Sequence, residues 1–103
     1  MGKLSRTKGH SFERECANDF KGIGFPDAKR NLTETQTGGQ GIDLVGTGDF
    51  DVQCKRKKSY VSINTIDEIP KVKDRIRVLV TKADRKPAMA VIEYDDFLTL
   101  IRR

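Results

Sequence analysis

Asp43 sits among apolar residues in Gly41-Ile42-Asp43-Leu44-Val45-Gly46, and the following run Phe50-Asp51-Val52-Gln53-Cys54-Lys55-Arg56-Lys57-Lys58 closes on four consecutive cations. A carboxylate in an apolar strand must be paired, hydrated or metal-bound to be tolerated. The two segments read as the arms of a β-hairpin turning at Thr47-Gly48-Asp49, where glycine is available for a positive φ. Strand alternation sends Gln53 and Lys55 to one face and Val52 and Cys54 to the other. If Asp43 lies across from them, an acid, an amide oxygen and an ammonium meet on one face.

That grouping suits phosphodiester hydrolysis. The reaction needs a cation to polarise the phosphoryl oxygen and activate water, and a positive group to offset charge in the transition state. Asp43 is the expected central metal ligand and Glu13 the second. The Gln53 amide and the main-chain carbonyl of Cys54 are expected to supply neutral oxygens. Lys55 is expected to orient the water or stabilise the pentavalent phosphate. Such hard oxygen ligands suit Mg²⁺ or Mn²⁺. Glu34 is a reserve ligand. With one histidine, His10, and two cysteines, Cys16 and Cys54, lacking paired-ligand spacing, the chain offers no zinc-site pattern and one candidate base for a triad. The cysteines are expected to be reduced thiols in a cytoplasmic protein.

The formal net charge of +5 biases the chain toward polyanions. The cations cluster at Lys3, Arg6 and Lys8, at Lys55 to Lys58, and at Lys82, Arg85 and Lys86. Lys8, Arg56, Lys57, Lys58, Lys82, Arg85 and Lys86 are the expected contacts to nucleic-acid phosphates.

Elements must hold these groups in place. A single domain is expected over the 103 residues, with residues 1–9 a flexible basic lead-in. Phe12, Cys16, Phe20 and Ile23 recur at helical spacing, predicting a helix over 10–22 that stops at Gly22 and Gly24. Its wheel puts Glu13 at the edge of the apolar stripe and Glu15 further toward solvent. An irregular strand over 26–32 and a polar, glycine-rich loop to residue 41 precede the hairpin. Ile63, Ile66, Ile69 and Val72 predict a helix over 62–74, interrupted near Pro70. Strands over 76–81 and 88–93 flank a basic turn, and Asp95 or Asp96 is expected to cap a last helix. The order α-β-β-β-α-β-β-α implies an α/β fold, a central mixed sheet with helices on both faces. No apolar run approaches a membrane span, and no secretory signal is visible.

These segments resemble the PD-(D/E)XK nuclease superfamily over about residues 8–60. Gly9-His10-Ser11-Phe12-Glu13-Arg14-Glu15 is similar to the opening of archaeal and phage Holliday junction resolvases, in which the first glutamate of such a Glu-Arg-Glu segment joins the metal site. Gly41-Ile42-Asp43-Leu44-Val45 resembles the aspartate strand. Val52-Gln53-Cys54-Lys55 resembles the E-x-K strand in its Q-x-K form, as in Mrr-like restriction nucleases. The resemblance implies a restriction endonuclease-like core and a metal-dependent DNA endonuclease. Gln53 lowers the negative charge of the expected site by one, which implies weaker metal binding. Three readings stand: a homodimeric nuclease selective for branched DNA, an Mrr-like restriction or repair nuclease on duplex DNA, and a non-catalytic nucleic-acid-binding module of the same fold.

Overall fold

A computed structural model describes residues 2–32 and 41–103, with backbone alone for 2–8. The chain order is helix α1 (Gly2–Gly22), strands β1 (Lys29–Arg30), β2 (Leu44–Val45) and β3 (Phe50–Lys57), a 3-10 helix (Ile63–Glu68), strands β4 (Ile76–Ala83) and β5 (Met89–Val91), and helix α2 (Tyr94–Arg102). The architecture is mixed α/β, with the restriction endonuclease-like element order expected from the sequence.

β3 and β4 run parallel, with Gln53 beside Leu79 and Lys55 beside Thr81, and β5 adds antiparallel to β4. Both long strands bury side chains on both faces, and β4 is accordingly rich in β-branched residues. On one face, Val52, Cys54, Ile76 and Val78 pack with Phe12, Cys16 and Ala17 of α1, and Leu100 of α2 joins them. On the other, Leu79 packs with Ile66 and Ile69 beneath the 3-10 helix. Alternation along β3 therefore separates an apolar face under α1 from a face where Gln53 and Lys55 project toward the 3-10 helix.

Several elements differ from expectation. Helix α1 begins at Gly2, so residues 2–9 continue the helix instead of forming a separate lead-in. Leu, Lys and Arg are good helix formers, and one internal glycine costs only about 1 kcal/mol. The expected hairpin is not a ladder: β2 pairs with β1, and β3 pairs with β4. The turn at Thr47-Gly48-Asp49 does form, with the Phe50 N–H donating to Thr47 O at 3.2 Å. The single helix expected over 62–74 is a six-residue 3-10 helix. It stops at Ile69 because the residue before Pro70 is driven to extended backbone, with φ −89° and ψ 123°. Neither Asp95 nor Asp96 caps α2; Glu93 holds the cap position without a side-chain hydrogen bond, and both aspartates lie in the first turn, where they favour the helix dipole. The glycine-rich loop over 33–40, Glu34 included, lies outside the described residues.

Candidate active site at the free edge of β3

β3 gives one backbone edge to β4 and leaves the other to the segment around Asp43. There the Asp43 N–H donates to Val52 O at 2.8 Å, and the Cys54 N–H donates to the Asp43 carboxylate, Oδ2, at 2.8 Å. Alternate residues of a strand present their N–H and C=O groups to opposite edges, so Val52 and Cys54 serve Asp43 while Gln53 serves β4. Asp43 is thus held in the plane of the sheet beside Cys54, between the backbone positions of Gln53 and Lys55. It is buried, and Ile42 and Leu44 on either side of it pack into the two opposite cores.

Asn31 fixes this segment from behind. Its N–H donates to Asp43 O at 2.7 Å and its side-chain amide donates to Ile42 O at 2.9 Å. Gly41 explains the glycine two positions before the acid. It sits at φ +73°, and any Cβ there would collide with the carbonyl of Glu68. Close approach of the two chain segments therefore requires glycine.

Gln53 is buried at 2% exposure, on the same face as Lys55. Its Nε2 donates to Glu68 Oε1 at 2.9 Å, and the same carboxylate oxygen lies 3.5 Å from Lys55 Nζ. The other end of the amide, Gln53 Oε1, is buried with no hydrogen-bond donor. Burial of an unpaired acceptor is costly, and such an atom is met by an ordered water or an ion. A buried amide oxygen without a donor, on the strand whose Cys54 N–H binds the Asp43 carboxylate, suits a divalent cation of the Mg²⁺ or Mn²⁺ class, so Asp43 and Gln53 are the residues that would hold one. Among the described residues, no three His, Cys, Asp or Glu side chains converge to hold a metal ion.

Glu13 reaches this region from α1, on the Cys54 side. Its Oε1 is engaged by Arg30 Nε at 3.0 Å, with both side chains about one-fifth exposed at 19% and 20%. The Cys54 thiol is pushed well above the usual thiol range. Its hydrogen bond with Cys16 is the chief cause, followed by burial, the charge of Cys16, and the negative charges of Asp43 and Glu13. Both carboxylates therefore act on one buried thiol. Cys16 and Cys54, distant in sequence, meet as free cysteines between α1 and β3.

Two of the three basic clusters share the far end of the sheet. Arg56 and Lys57 lie beside Lys82 and Ala83 in register, and the Asp84 N–H donates to Lys58 O at 3.3 Å. Lys82 Nζ donates to Lys86 O at 2.8 Å, and Lys86 Nζ stands 5.8 Å from the centre of the Tyr60 ring. Arg85 adopts φ 63° at the tip of this turn, where its side chain is exposed. The side chain of Lys8, with the rest of the N-terminal cluster, lies outside the described residues. His10 lies on α1, half-buried.

Sequence reasoning missed Glu68, Asn31 and Arg30. Glu68 carried a faint signal, an acid on the helix following the Q-x-K strand. Asn31 and Arg30 gave none, because their importance comes from tertiary pairing. No helix among the described residues is long and apolar enough to cross a membrane.

No curated protein and no solved structure matches the chain. A family model does match over residues 4–91, that of the Mrr catalytic domain, described as a restriction endonuclease. It spans α1 through β5 and takes in Glu13, Asp43, Gln53, Lys55 and Glu68. The chain belongs to the Mrr-type restriction endonuclease family, within the PD-(D/E)XK nuclease superfamily.

Proposed function

We propose that this nuclease domain is an endonuclease that hydrolyses DNA phosphodiester bonds with a divalent cation, Mg²⁺ or Mn²⁺, held by Asp43 and Gln53. The observation that carries the reading is the buried, unpaired Gln53 Oε1 on the strand that Asp43 clasps through Cys54 N–H. A bound cation supplies Lewis-acid polarisation of the phosphoryl group and lowers the pKa of an attacking water. Lys55, one-third exposed at 33%, presents its ammonium on the same face to offset charge on the phosphate. Glu13, the expected second acidic ligand, lies on the Cys54 side of β3, opposite Gln53, and is held there by Arg30; it would join the cation only around the strand edge that Asp43 occupies. The Cys54 carbonyl is a further candidate oxygen. Arg56, Lys57, Lys58, Lys82, Arg85 and Lys86 hold flanking phosphates, joined by Lys8.

These cations lie at strand ends and in a turn, so their reach is to the phosphate backbone and to DNA shape. The substrate we propose is branched DNA, cut on two strands by a twofold homodimer in the cytoplasm. Family membership favours a second reading, restriction or repair cleavage of ordinary or modified duplex. One assay separates them: cleavage of a four-way junction, a flap and matched linear duplex with Mg²⁺, Mn²⁺ or chelator. The proposal predicts metal-dependent cutting that is fastest on the junction. Equal rates on junction and duplex would leave the duplex reading. Salt-sensitive binding with no metal-dependent nicking on any substrate would reject catalysis and leave a binding module.

A further inference from the structure

The site contains an ambiguity that the chain itself resolves. A glutamine amide has an acceptor end and a donor end of nearly equal shape, and only the acceptor can face a cation. A carboxylate at the same position carries oxygens at both ends and needs no such choice. Gln53 is buried at 2% exposure, so solvent cannot set its orientation. What sets it is Glu68, whose carboxylate oxygen only accepts and lies 2.9 Å from the amide nitrogen. With Nε2 committed to Glu68, Oε1 must be the other end, and it is this atom that is buried without a partner. The same Glu68 oxygen stands 3.5 Å from Lys55 Nζ, so one carboxylate restrains both polar residues of the Q-x-K strand.

The placement of Glu68 is itself built. It is the last residue of the 3-10 helix, which the extended Ile69 before Pro70 brings to an end. The positive φ of Gly41 lets the Asp43 segment lie against the Glu68 backbone carbonyl. Entry to the aspartate strand and exit from the 3-10 helix are thus locked together.

We infer that Glu68 is a positioning residue that holds the Gln53 amide oxygen-first toward the cation site and anchors the Lys55 ammonium beside it. The inference rests on the metal reading proposed above. Glu68 contacts neither cation nor DNA in this role and acts through Gln53 and Lys55. Outer partners of this kind are commonly worth about 10–100-fold in metal affinity.

The test is Mn²⁺ binding by titration calorimetry on the whole chain, without DNA, with thermal melting in chelator to verify folding. Glu68→Ala is expected to weaken Mn²⁺ binding about tenfold or more. Glu68→Gln, whose amide oxygen can still accept from Gln53 Nε2, is expected to retain binding. The deciding arm is Gln53→Glu, which gives position 53 an oxygen at each end. In that background Glu68→Ala is expected to leave Mn²⁺ affinity unchanged or raise it, because two facing carboxylates repel. A purely structural Glu68 would cost the same factor in both backgrounds, and that result would overturn the inference. So would an unchanged affinity on Glu68→Ala in the wild-type background. Absence of Mn²⁺ binding by the wild-type chain would overturn the metal reading and the inference with it.

Discussion

The two ends of the parallel β3–β4 pair treat charge in opposite ways. At the Phe50 and Ile76 end, acids and bases are matched. Arg75 Nε meets Asp51 at 2.8 Å, Arg77 meets Glu93 at 2.8 Å, Lys71 meets Glu93 at 3.1 Å, and Arg103 meets Asp49 at 3.0 Å. At the Lys57 and Ala83 end, none of Arg56, Lys57, Lys58, Lys82, Arg85 and Lys86 pairs with a carboxylate among the described residues. Their visible partners are backbone carbonyls and the Tyr60 ring. Matched charge holds strands and helices together, whereas the cations at the other end carry the proposed contacts to DNA phosphates. A cleft of about 670 Å³ lies at the matched end, walled by Arg75, Arg77, Glu93 and Arg103. Cavity size alone would misplace the chemistry: each of those charged walls is held in an ion pair, Arg75 with Asp51, Arg77 with Glu93 and Arg103 with Asp49, and the unpaired buried acceptor lies elsewhere, at Gln53.

The largest effect is expected at the edge between the two ends, where Asp43 meets β3. Asp43→Asn keeps an oxygen for the Cys54 N–H and removes the charge. It is expected to lower metal-dependent nicking about a thousandfold, on the several kcal/mol that metal-assisted charge stabilisation supplies. Lys55→Ala is expected to cost about a hundredfold. Both are measured as single-turnover rates on plasmid DNA. At the unmatched end, Lys57→Ala with Lys58→Ala should weaken DNA binding. It should also flatten the log–log salt slope by about 0.9 per lost phosphate contact, read from filter binding across a salt series. Melting should be unmoved.

The matched end should answer in stability and not in binding. Arg75→Ala leaves Asp51, whose side chain is 6% exposed, without its guanidinium. The expected loss is about 2–3 kcal/mol, a fall in Tm of roughly 10 °C or more, with the salt slope of DNA binding unchanged. The smallest effect is on pH. The Arg77 hydrogen bond, then that of Lys71, holds the Glu93 carboxyl below its ordinary value of 4.5. A lowered folded value means the stabilisation is complete above about pH 4.5 and fades as pH falls through the folded value. Exposure makes it modest. Melting curves of Glu93→Gln against wild type should diverge above that pH and converge below it. Equal separation at every pH would remove the carboxyl from the account.

The sequence made the edge legible because burial and alternation are local rules. An acid between Ile42 and Leu44 had to be satisfied, and a period of two grouped Gln53 with Lys55. The partners were not legible. Whether β2 pairs with β1 or β3 depends on tertiary packing, and both arrangements keep the turn at Gly48. Glu68 reaches Gln53 only because the chain leaves the helical path before Pro70. Residues 2–9 joined the helix because propensity outweighed one glycine and a basic composition. The division between matched and unmatched charge was also hidden, since Arg75 and Lys57 look alike until Asp51 is seen beside the former.

The most direct test sets the two regions side by side. Nicking of plasmid DNA with Mn²⁺ would be measured at saturating DNA for wild type, Asp43→Asn and the Lys57→Ala, Lys58→Ala pair. The lysine variant, once saturated, is expected to nick at the wild-type rate, while Asp43→Asn is expected to bind normally and not to cut. Cutting by Asp43→Asn at the wild-type rate would contradict the role proposed for Asp43.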